Sequence, residues 1–257
     1  MDTMLVRRLS ALNTSFYARN AQSFASTRHG AWAGWASLAQ DIDDHVSSKL
    51  AQGEPLRVVD LAAGNLRFEA FMEESFPHIP LRFTAVDNCT DFPSFELSAP
   101  CEFRQIDLIE SLEDDSLAAQ AADEAAHVVA CFGFLQHVPS LRLRKQLLSD
   151  IADMLAPDGL AFITLWNFIQ DESLLLKAQD ATAAASAVMD LSGMEDGDYI
   201  LGWQGKQGTF RYCHSFSDEE VDQLIDSVAG KARVRRRFRS DGRTGKLNTY
   251  LVLQKIA

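Results

Sequence analysis

The sequence predicts an α/β fold: a doubly wound, mostly parallel seven-stranded sheet with helices on both faces and a helical lid at the N-terminus. Three observations lead there. From residue 56 onward, short apolar runs of strand length alternate with amphipathic helical patterns, as parallel strands joined by crossover helices do. A hairpin signature closes the chain. The first 50 residues lack that alternation and read as helical and aromatic-rich. With 257 residues, 47% of them hydrophobic, the chain suits one α/β domain with an added cap. We divide this single domain into a helical, aromatic cap (1–52), a core (53–170), an insertion (171–215), and a last helix with closing hairpin (216–257).

The cap carries Phe16, Tyr17, Phe24, Trp32 and Trp35, and Gly53 and Pro55 end it. "LRVVDLA" (56–62) reads as a buried strand, and "LRFEAFMEESF" as the amphipathic helix after it. "LRFTAVD" (81–87), "CEFRQIDL" (101–108) and "AHVVACFGFL" (126–135) are the next three strands. "RLRKQLLSDIADML" is a helix, "APDG" a turn, and "LAFITLW" (160–166) the fifth strand. Residues 171–208 break the rhythm with an Ala-rich helix and a Gly- and Asp-rich segment. The last helix, "SDEEVDQLIDSV", opens on a capping box of Ser217 and Glu220. "ARVRRRFRS" and "LNTYLVLQK" then form the closing pair around the turn "DGRTG".

Composition narrows the function classes. No apolar run reaches the length of a membrane span, and the N-terminus lacks the pattern of a secretory signal. Cys89, Cys101, Cys131 and Cys213 are scattered with no CxxC pair. A soluble protein of the reducing cytoplasm, with no zinc site or disulfide framework, is the expectation. The net charge of −12 argues against a general nucleic-acid binder. Residues 231–246, however, hold eight Lys and Arg and one Asp, a local +7. At period 2, Arg233, Arg235, Arg237 and Arg239 point to one face of a strand. Such a face is either an edge-strand device or partner for the acidic helix at 218–226, or a rim that tracks phosphates.

The turn "VVDLAAGNLRF" (58–68) carries the first chemical signal. It joins strand to helix with a single glycine, Gly64. In open parallel sheets the ligand sits beyond the carboxyl ends of the strands, where the strand order switches. Three acidic residues stand at such ends. Asp87 can accept from both hydroxyls of a ribose, Asp107 from an adenine amino group, and Asp60 can orient the turn or meet an ammonium. A pyrophosphate would want more glycines and fewer carboxylates. A cationic, phosphate-free adenosine derivative tolerates both, and S-adenosylmethionine fits that description.

The order of "VVDLAAGN", "FTAVDN", "CEFRQIDL", "VVACFGFLQHVP" and "LAPDGLAFITLW" resembles the class I, Rossmann-like S-adenosylmethionine-dependent methyltransferases, over residues 56–257. The resemblance implies an antiparallel last strand, and cofactor contacts from Ala62, Asn88, Leu108 and Phe132 beside Asp60, Gly64, Asp87 and Asp107. Ala62 and Leu66 stand where that family has glycine, and Leu66 would narrow the space near the methionine moiety. A narrower likeness joins "FYARNAQSFASTRHGAWAGW" and "GDYILGW…GTFRYCHSFSDEEVDQLI" to the tRNA wobble-uridine carboxymethyl methyltransferases. It implies methyl-ester formation on a carboxymethyl uridine. A small carboxylate or hydroxyl acceptor, or a non-catalytic relative that binds a nucleoside or a protein, are the other readings.

Tyr17, Phe24 and Arg28 follow helical spacing. They form either a core stripe or a lid, with Tyr17 on the cofactor and Arg28 paired to its carboxylate. His137 in "FLQHVPS" is a general base or a loop-ordering residue; an ionised carboxylate acceptor needs no base. Arg211, Tyr212 and His214 face the substrate if the insertion forms a roof, where Arg211 can grip a carboxylate or phosphate. Arg7, Arg8 and Arg19 are the fallback RNA-facing residues.

Overall fold

The computed structural model describes all residues except 28, 29, 47–49, 52, 93 and 257. Its main sheet has seven strands in the order β3-β2-β1-β4-β5-β9-β8. These are β1 (Leu56–Leu61), β2 (Leu81–Asp87), β3 (Cys101–Gln105), β4 (Ala126–Cys131), β5 (Leu155–Trp166), β8 (Ala232–Ser240) and β9 (Asn248–Lys255). The first five run parallel, and β9 is antiparallel to both β5 and β8. The expected mostly parallel sheet with a reversed last strand is therefore present.

Period-2 alternation sends side chains into two cores. Leu56 and Val58 join Phe83, Phe162 and Val252 under α2 (Trp35–His45) and α3 (Arg67–Ser75). Val59 and Leu61 join Val129, Ile163 and Leu251 under α4 (Leu108–Glu113), α5 (Leu117–Ala121), α6 (Leu141–Met154) and α8 (Asp218–Asp226). Apolar side chains on both faces explain why these strands read as nearly unbroken hydrophobic runs.

Several local expectations change. The "APDG" turn lies inside β5, where the pairing with β4 slips: Ala126 faces Leu155, but Val128 faces Leu160. Asp158 takes a left-handed conformation there (φ 64°), so the extra residues bulge and the strand continues. The third strand stops at Gln105, and Asp107 instead caps α4 through hydrogen bonds from the Ile109 and Glu110 amides. In the insertion, α7 (Glu172–Ser186) is followed by a separate two-stranded sheet, β6 (Asp198–Trp203) with β7 (Lys206–His214). The long first helix, α1 (Thr3–Ala25), packs Leu5 and Leu9 against Ile200 and Tyr212 of that hairpin.

The arginine face does not survive intact. β8 slips against β9 between Val234 and Arg236, leaving Arg235 in a bulge. Arg233 therefore shares the face of Gln254, while Arg237 and Arg239 share that of Leu251 and Thr249. One extra residue in a strand exchanges the two faces. The side chains are also engaged. Arg233 and Arg235 donate to Gln254, Arg237 pairs with Asp218 and Asp222, and Arg239 donates to Asp218 and Gln170. The acidic helix α8 neutralises Arg237 and Arg239.

Candidate functional site

A cavity of about 820 Å³ opens at the carboxyl ends of the parallel strands, where the strand order reverses between β1 and β4. Its lower half is built by the core. After β1 the chain turns through Ala62, Ala63, Gly64 and Asn65 into α3, and all four line the cavity. Ala62 and Leu66 both have φ of 61°, and Gly64 has φ of 59°. The two positions that depart from the family's glycines thus adopt a conformation that favours glycine, at about 1–2 kcal/mol each for a residue with a side chain. Leu66 sits at the N-terminus of α3 and is not among the residues lining the cavity. The narrowing expected of it is therefore not seen in the lining.

Asp87, at the end of β2, ties the turn to the sheet. Its Oδ2 accepts from the Gly64 amide and its Oδ1 from the Cys89 amide, each at 2.9 Å. Burial raises its pKa, against the lowering effect of those amides. Each oxygen keeps a second lone pair for a ligand. Asn88, Leu108 and Phe132 line the same space, as does Asp107. Asp107 uses Oδ1 for the helix cap, which leaves Oδ2 outside it.

Asp60 also lines the cavity. Beneath it lies a residue that sequence reasoning missed, Glu69 of α3, wholly buried. Burial, then the charges of Glu69 and Asp87, push the Asp60 carboxyl well above its ordinary range. Burial also raises Glu69, to about 7. Burial thus favours the neutral form of both carboxyls. Glu69 falls on a helix that reads as amphipathic with glutamates outward, so the sequence held no signal for it.

The upper half comes from the cap and the insertion. His137 follows β4 in a short 3₁₀ turn. Its Nδ1 lies 2.9 Å from the Tyr212 carbonyl oxygen. A carbonyl can only accept, so Nδ1 carries the proton. In the neutral ring Nε2 is then the acceptor, and the Tyr17 hydroxyl donates to it at 2.8 Å. Asn13 of α1 accepts from the Tyr212 amide at 2.7 Å and donates to its carbonyl at 3.2 Å. The helix α1 is thereby fastened along β7. Tyr17 and His137 both line the cavity. Arg28, expected beside Tyr17, lies outside the described residues.

Arg211 of β7 lines the cavity, and Tyr212 and His214 do not. The three were expected to face the substrate together. Strand alternation decides otherwise for the last two. The Tyr212 hydroxyl donates to Asp198 at 2.6 Å, behind the hairpin. His214 is held between Asp198 (2.7 Å) and Glu220 (2.5 Å). Burial would depress its imidazole, but hydrogen bonds to those two carboxylates raise it above its ordinary value. Trp32, Phe92 and Trp203 also line the cavity and were not singled out. Their aromatic character alone does not separate them from core residues.

The chain has the fold of S-adenosylmethionine-dependent methyltransferases. It is similar to a Burkholderia thailandensis 1,6-didemethyltoxoflavin N1-methyltransferase, solved with its heterocycle and S-adenosylhomocysteine (TM-score 0.61, 15% identity, covering 98% of this chain and 91% of that one). It is also similar to a Methanosarcina mazei S-adenosylmethionine-dependent methyltransferase (0.58, 13%, 84% and 97%). A Pyrococcus horikoshii protein is a third relative in structure (0.52, 13%, 88% and 92%). No family model and no curated protein matches the sequence. Among the described residues, no helix is long and apolar enough to cross a membrane.

Proposed function

We propose that this protein transfers a methyl group from S-adenosylmethionine to a small-molecule acceptor. The observation that carries this reading is one cavity with two unlike halves. The lower half offers the glycine turn, oriented by Asp60, with Asp87 for a ribose and Asp107 with Leu108 for an adenine. The upper half offers Tyr17, His137, Arg211 and a wall of aromatic rings to an acceptor. The acceptor attacks the sulfonium methyl in line and S-adenosylhomocysteine leaves. The protein's share is proximity, orientation and exclusion of water.

A carboxymethyl uridine of tRNA is the finer reading that the sequence resemblance offers. Its proposed phosphate rim, the arginines of β8, is occupied by Asp218, Asp222 and Gln254, which favours a small acceptor. Calorimetry with S-adenosylmethionine tests the cofactor assignment. Asp87→Ala removes hydrogen bonds to a charged acceptor, each worth about 1.5–3 kcal/mol, and should weaken binding at least tenfold. Unchanged affinity would remove the ribose role of Asp87. No binding by the unaltered protein would leave a non-catalytic relative of the fold. Transfer of labelled methyl into bulk RNA rather than into a small-molecule extract would restore the tRNA reading.

A further inference from the structure

The upper half of the cavity contains a buried cation with no counter-ion among the described residues. Arg211 is 7% exposed. Its guanidinium carbon stands 5.2 Å from the Phe16 ring centre, 5.3 Å from Trp203, 5.7 Å from Phe24 and 6.0 Å from Trp166. Its Nε is buried with no hydrogen-bond partner, and among the described residues no carboxylate pairs with it. Arg67, half-buried over Trp32 and Trp35 on another wall of the cavity, also has a buried Nε without a hydrogen-bond partner, but the fully buried arginine behind the hairpin is treated differently. Arg144 is met by both Glu195 and Glu220 at 2.8 Å.

Aromatic faces attract a guanidinium but do not neutralise it or accept its in-plane N–H donors. An unpaired buried charge is strongly unfavourable, and a fixed protein carboxylate would have removed the difficulty. Arg211 lines the cavity, so a ligand can supply what the chain does not. A planar oxyanion matches the guanidinium fork with two parallel hydrogen bonds. The surrounding rings offer stacking faces to a flat organic body.

We propose that Arg211 is the specificity residue of the acceptor site, and that the acceptor is a small aromatic or heteroaromatic compound bearing an oxyanion, carboxylate or phosphate. This deepens the methyltransferase reading and rests on it. The Tyr17–His137 pair lies on the same wall, since His137 donates to the carbonyl of the residue after Arg211. The anion thus anchors the acceptor next to the His137 imidazole, which lines the cavity.

The test is titration of the S-adenosylhomocysteine-saturated protein with benzoate, phenyl phosphate and neutral benzamide, followed by calorimetry and by the fluorescence of Trp166 and Trp203. Benzoate or phenyl phosphate should bind and benzamide should not; which anion binds tells carboxylate from phosphate. Arg211→Met should weaken the anion by roughly ten- to a hundredfold and leave S-adenosylhomocysteine affinity within about twofold. Arg211→Lys, which keeps the charge but loses the fork, should fall between. The melting temperature separates this role from a structural one: Arg211→Met should be as stable as the unaltered protein, or more so, because an uncompensated charge is removed. Equal binding of benzamide and benzoate, anion binding untouched by Arg211→Met, or a marked loss of stability in that variant would each overturn the proposal. Failure to bind S-adenosylhomocysteine would overturn the methyltransferase reading separately.

Discussion

The two sides of β7 place buried charge in opposite ways. Behind the strand, Arg144, His214, Asp198, Glu195, Glu220 and the Tyr212 hydroxyl form a closed network in which each charge meets its opposite. In front, one residue away, Arg211 faces the cavity among four rings, with no acid paired to it among the described residues. A chain that neutralises one buried arginine twice and the next not at all separates structure from ligand recognition. The paired side fixes where the hairpin sits against α6 and α8. The unpaired side keeps its donors for something that arrives later.

The largest expected effect lies on the closed side. Arg144→Met removes the shared partner of Glu195 and Glu220 and should destabilise the protein by about 3–5 kcal/mol, read by urea unfolding. If it proves as mild as Arg211→Met, the two sides do not differ in kind.

A smaller effect concerns the proton on His214. Its folded pKa is raised from 6.5, so the folded state binds that proton more tightly than the unfolded chain does. The stability it contributes is complete below about 6.5 and is lost as pH rises through the folded value. His214→Gln should remove that part of the decline, seen by comparing the pH dependence of unfolding of the two proteins above neutrality. Parallel curves would show that the network does not depend on a charged ring.

The smallest effect belongs to an arginine that is paired but near the surface. Arg237 meets Asp218 at 2.6 Å and Asp222 at 2.7 Å, with side chains 28%, 56% and 67% exposed. Water and salt screen such pairs, so Arg237→Gln should change stability by about 1 kcal/mol or less. A loss approaching that of Arg144→Met would mean that pairing matters more than burial here.

The lower half of the cavity was legible because it is local. The strand-to-helix turn with Gly64, and Asp87 at a strand end, follow from short runs of residues whose neighbours in sequence set their geometry. The alternating strands and helices and the helical cap follow from periodicity for the same reason, and the closing hairpin from its turn, whereas the reversed last strand was implied by the family resemblance. Ala62 and Leu66 stand out by type, and their left-handed φ values show why glycine is the residue expected at each.

What the tertiary structure alone decided was facing and pairing. The block "RYCH" contains one cavity-lining side chain, Arg211, and Tyr212 and His214 turn away; that outcome depends on which face of β6–β7 the core covers. A single bulge at Arg235 dispersed an arginine stripe that period 2 had drawn on one face. Glu69 became a buried partner of Asp60 because α3 turns that position inward. The Tyr17–His137 bond joins residues 120 positions apart. Composition and spacing record which groups a chain owns. Whether a buried charge finds its counter-ion within the chain or leaves that place to a ligand depends on contacts between distant segments, and those exist only once the fold has closed.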